Sequence, residues 1–155
     1  MKGSIVLENV RHKIEDTYIG ASYEVDEAFR WTKSHAGEVE LLCTYAPGKV
    51  YGTEADRPYI AVQEDDAVYC AMDEYKETGM IEHAIELEAL SGFFLFRAKM
   101  EYYQDMMYFY GFQKEDGYWT QAGLCLVYPR EYVGTENETI LIKVLDEAAD
   151  SFQMT

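Results

Sequence analysis

The chain has 155 residues, of which 48% are hydrophobic, with 29 acidic side chains against 13 Lys and Arg and a formal net charge of −16. That length and apolar content suit one folded domain with a sizeable core and exclude a disordered acidic tail. The charge repels nucleic-acid phosphates and anionic membrane surfaces, and it attracts basic proteins and divalent cations.

The opening residues lack the apolar run of a secretory signal. Cys43, Cys70 and Cys125 sit in apolar surroundings with no CxxC spacing. They read as buried free thiols in a reducing, cytoplasmic compartment.

Taken in order, residues 4–10 and 17–25 suit two strands, with the charged stretch 11–16 turning between them as a hairpin. Asp26 then reads as an N-cap, with Glu27 in the first turn of a short helix through Ala28, Phe29, Trp31 and Thr32 that ends near Gly37. Glu38 to Tyr45 reads as an inner strand. Residues 46–58 show little pattern and are punctuated by Pro47, Gly48, Gly52 and Pro58. Two further strands, 59–63 and 67–73, flank an acidic turn at Glu64, Asp65 and Asp66.

Beyond Asp73 the apolar spacing lengthens. Met80, Ile81, Ala84, Ile85, Leu87 and Leu90 predict a helix, capped at Thr78. The chain's most apolar stretch follows. Phe93, Phe94, Phe96, Met100, Tyr103, Met107 and Tyr110 cover one side at helical spacing, which predicts a central core helix over about 92–110, set off by Ser91 and Gly92. Arg97, Lys99, Glu101 and Asp105 within the run argue against a membrane span. Gly111 is placed to cap this helix in a left-handed conformation. A strand over 118–128 runs to Pro129.

Thr135 and Glu138 then form a T-x-x-E capping box. Ile140, Leu141, Val144, Leu145, Ala148 and Phe152 trace the buried stripe of a C-terminal helix over about 136–152. No repeat or linker interrupts the chain. The expected fold is a single α+β domain over 1–155, a mostly antiparallel sheet with helices on one face.

Catalytic signatures are missing from the sequence: no phosphate-binding glycine loop, no GxSxG and no HExxH. The order helix, Tyr110-Gly111-Phe112, strand resembles acetyltransferases of the GNAT type over some twenty residues. That resemblance implies acetyl-CoA binding, yet the family's Q/RxxGxG/A loop has no counterpart here. His83 lies among Glu82, Glu86 and Glu88, but on a helix it points away from the Glu82–Glu86 face, so these residues read as a solvated acidic surface and not as a metal site. The sequence assigns no catalytic residue, no metal and no cofactor.

The surface carries the functional expectation. Carboxylates spread over a rigid fold can imitate nucleic-acid phosphates and fill a basic groove on another protein, the physics that small acidic nuclease inhibitors and immunity proteins use. Glu64, Asp65, Asp66, Tyr69, Asp73 and Glu74 are the candidate contact residues for a basic protein partner. The alternative is an enzyme or small-molecule-binding protein with an aromatic-lined pocket between sheet and helices. An apolar stripe left uncovered on the central helix would imply a homodimer.

Overall fold

Period-two burial, and not a helical stripe, governs the middle of the chain. The computed structural model describes residues 5–17, 19–31, 38–41, 58–114 and 120–154. The stretch expected to be the central helix is a β-hairpin: β7 (Phe96–Tyr102) and β8 (Asp105–Gln113) pair antiparallel in register from Phe96↔Gly111 to Tyr102↔Asp105. Helical spacing misleads here because β8 is buried on both faces, so it shows seven consecutive buried residues and no alternation. Its aromatic richness is a strand preference. Gly111 does not cap anything; it lies inside β8, where a Cβ would stand 2.5 Å from Met72 Sδ and 2.7 Å from the Phe96 ring. The helix–strand junction behind the acetyltransferase resemblance is therefore absent, since Tyr110 to Phe112 continue one strand.

The fold is α+β, with two antiparallel sheets. A seven-stranded sheet runs β3 (Phe29–Trp31), β4 (Glu38–Leu41), β5 (Tyr59–Gln63), β9 (Gln121–Pro129), β8, β7 and β6 (Ala84–Ala89). A three-stranded sheet orders β1 (Arg11–Asp16), β2 (Ala21–Asp26) and β10 (Gln153–Met154). Helices pack on both faces of the larger sheet, not on one. Helix α1 (Asp66–Thr78) sets Val68, Ala71 and Met72 against Phe96, Phe109, Cys125 and Val127. Helix α2 (Glu136–Asp150) sets Leu141, Val144, Leu145 and Ala148 against the alternate residues Tyr108, Tyr110, Leu124, Leu126 and Tyr128, together with Tyr23 and Val25 of β2.

Other boundaries move for local reasons. Residues 11–16, expected as a turn, are β1, with Ile14 and Asp16 buried in alternation. Residues 5–10 form no strand, though Ile5 is buried and its N–H donates to Asn137 Oδ1 at 2.8 Å. Asp26 does cap backbone, but at a turn: its carboxylate accepts the N–H groups of Glu8, Asn9 and Ala28, and β3 follows in place of a helix. Residues 67–73 lie in α1, because Asp65 caps its first turn by accepting the Val68 N–H and Gly79 closes it in the left-handed region.

The helix expected after Thr78 is β6. A bulge between Ala84 and Glu86 leaves Ala84 and Leu87 on one face three residues apart, which counterfeits helical spacing. The C-terminal helix is present, but neither bond of the expected capping box forms. The Thr135 hydroxyl donates to Tyr132 O, and Glu138 reaches back to the Gly134 N–H at 3.0 Å. Of the strand expected over 38–45, residues 42–45 lie outside the described residues, as do 46–57, 118 and 119.

Candidate interaction surface

The predicted contact residues lie in α1 and just before it, but they divide by role. Glu64 pairs with Lys114 at 2.5 Å, both nearly buried. Asp65 is the helix cap, and its second oxygen accepts the hydroxyl of Tyr102 from the β7–β8 hairpin. Glu74 accepts the Glu82 N–H at 2.9 Å, pinning the connection into β6. These three carboxylates are spent on the fold. Asp66 and Asp73, with Glu77, are exposed at i, i+7 and i+11, so they share the outer face of α1 with half-buried Tyr69. Cys70 lies on that same face and is exposed, contrary to the expectation of a buried thiol; Cys125 is buried, and Cys43 lies outside the described residues.

Sequence reasoning missed a second group, because residues assigned to a helix were not read as strand neighbours. In β7, Arg97 and Lys99 point to the α2 face of the sheet. Lys99, 6% exposed, lies 2.9 Å from Glu138 Oε2 and 3.5 Å from Glu86 Oε2. The Tyr128 hydroxyl donates to the same Glu138 oxygen at 2.5 Å. Arg97 pairs with Glu88 at 2.9 Å and with Asp146 at 3.3 Å, and its guanidinium lies over the rings of Tyr108 and Tyr110. The Tyr110 hydroxyl donates to Asp146 at 2.6 Å.

Burial alone would push the Glu138 carboxyl up, but the Gly134 N–H, the Tyr128 hydroxyl and the Lys99 ammonium outweigh it and hold the group below the ordinary glutamate value. Burial, followed by the hydrogen bond to Glu138, pushes the Tyr128 phenol far above the usual tyrosine range. Signals for this network were present in the alternation of Arg97, Lys99 and Glu101 against Phe96, Ala98, Met100 and Tyr102, which is strand periodicity.

The two groups have one electrostatic consequence. Arg11, Lys13, Arg97, Lys99, Lys114 and Arg130 all form ion pairs with carboxylates of the chain itself. What remains toward solvent along α1, β6 and the residues between them is mostly carboxylate: Asp66, Asp73 and Glu77, then Glu82, and the outer parts of Glu86 and Glu88; the exposed cation of α1, Lys76, donates to Gln121 Oε1 at 3.0 Å. Among the described residues no three His, Cys, Asp or Glu are grouped to hold a metal, and His83 is exposed.

Of the aromatics in the stretch expected to line a pocket, Phe96, Phe109 and Phe112 are fully buried, while Phe93 and Tyr103 are exposed. A cavity of about 210 Å³ opens on the three-stranded sheet, lined by Lys13, Ser22, Glu24, Ser151 and their neighbours. Among the described residues no helix is long and apolar enough to cross a membrane. Comparison with protein-family models, curated proteins and solved structures gave no match.

Proposed function

We propose that the protein is an acidic interaction module that binds a basic protein partner through the outer face of α1 and the adjoining strand β6. The observation that carries this reading is the asymmetry just described: paired cations are held to the fold, while Asp66, Asp73 and Glu77 present a helical row of carboxylates with no side-chain partner among the described residues. A row fixed on a capped helix costs little ordering on binding and raises the association rate with a positive surface. A partner whose basic groove normally holds nucleic acid fits this charge pattern, which makes an inhibitor or nucleic-acid mimic the specific form of the proposal.

The test is a pull-down from native lysate at low salt, eluted with a salt gradient. A basic protein leaving at moderate salt is the expected result. Its association rate should fall about three- to tenfold for each of the reversals Asp66→Lys, Asp73→Lys and Glu77→Lys. Reversals at Glu64 or Asp65 are unsuitable, because those side chains hold the fold together. Binding that ignores salt and all three reversals would overturn the reading.

A further inference from the structure

Strand β6 forms one border of the seven-stranded sheet: β7 takes one of its main-chain sides, and no described strand takes the other. Four of its six residues, Ile85, Glu86, Glu88 and Ala89, are exposed. Ile85, 56% exposed, presents a large apolar side chain to solvent within the strand. An exposed branched apolar side chain beside an open row of N–H and C=O groups is the making of a strand-addition site.

We propose that β6 is a docking strand, and that an extended basic segment of the partner adds to it as an eighth strand. The inference rests on the basic-partner reading above and names where and how that partner binds.

Charge selects the occupant. Glu86 and Glu88 project to one face of the border, and each is held from behind by a cation on β7, Lys99 and Arg97 respectively. A second copy of this chain would set these glutamates against their own like, and directly opposed like charges destabilise a strand pair. Two molecules of charge −16 also repel at long range. The bulge at Ile85 further blunts the border against a straight identical strand. A segment with Lys or Arg at every second position meets the opposite situation. Its cations fall beside Glu86 and Glu88, and its alternate residues continue the apolar face of Leu87. The features that reject self-association leave this partner class admitted.

The experiment measures amide hydrogen exchange on the full chain, with and without a synthetic peptide of about ten residues alternating Lys and Val. A peptide alternating Lys and Pro matches its charge but cannot extend a ladder. The expected result is slowed exchange over 84–89 with the Lys–Val peptide alone, and about fivefold weaker binding of that peptide to Ile85→Lys, whose side chain is already in solvent. Binding of both peptides with no protection over 84–89 would overturn strand addition while leaving the acidic-module reading in place. Failure of both peptides to bind at low salt would overturn the two together.

Discussion

Lys99 and Glu138 meet at 2.9 Å with exposures of 6% and 7%, so neither can fall back on water if the other is lost. Lys99→Met keeps the stem volume and leaves the Glu138 charge between α2 and the sheet without its cation. We expect a loss of about 3–5 kcal/mol of unfolding free energy, read from the urea midpoint. Adding Glu138→Gln to that variant should restore part of it, because the uncompensated charge is then gone. The pH dependence follows from the lowered Glu138 value. A carboxyl that titrates lower in the folded state than in the unfolded chain contributes stability above its unfolded pKa, and that contribution is lost as pH falls through the folded one. In the wild-type chain stability should therefore drop on acidification below the ordinary glutamate value, and Lys99→Met should flatten that part of the curve. An unchanged acid limb would show that the pair is not what holds the carboxyl down.

At the level of elements, one aspartate joins a helix to a hairpin. Asp65 caps α1 with one oxygen and takes the Tyr102 hydroxyl with the other. Asp65→Ala should cost about 1–2 kcal/mol in thermal or urea unfolding, more than Asp66→Ala, which removes an exposed side chain from the same turn. Equal effects would mean that the cap bond is unimportant.

The same elements show what a sequence reveals. The C-terminal helix was legible because its stripe from Leu141 to Ala148 has solvent on the other side, and Tyr59 to Gln63 was legible as a short apolar strand. Helix α1 was readable in principle from Val68, Ala71, Met72 and Tyr75, but the apolar string around Cys70 hid that spacing. The hairpin β7–β8 was obscured because a strand covered on both faces loses its polar alternation, and β6 because one bulged residue shifted its pattern. For the contact surface, the sequence located the acidic residues near α1. It could not show that Glu64, Asp65 and Glu74 would be consumed by distant partners such as Lys114 and Tyr102, since those contacts exist only once the sheet has formed.

For the whole molecule, a charge of −16 on a chain of 155 residues means that the folded state holds together against its own repulsion. Screening should relieve this more than it weakens exposed pairs such as Arg11–Glu24 and Lys13–Glu15. The thermal midpoint should rise by about 2–5 °C between low salt and 0.5 M sodium chloride; a fall would mean that the ion pairs outweigh the repulsion. The order of strands has a further consequence, for synthesis. Strand β9 lies between β5 and β8, although it is made after both. As the chain leaves the ribosome, β6, β7 and β8 can zip together as neighbours, while β5, with β4 on one side, waits for the partner of its other side. Until residues 121–129 emerge, the inner flank of β8, among the most apolar strands of the protein, stays open. The central seam of the sheet is the last part of it to be supplied, and the nascent chain must keep that flank from other chains in the meantime.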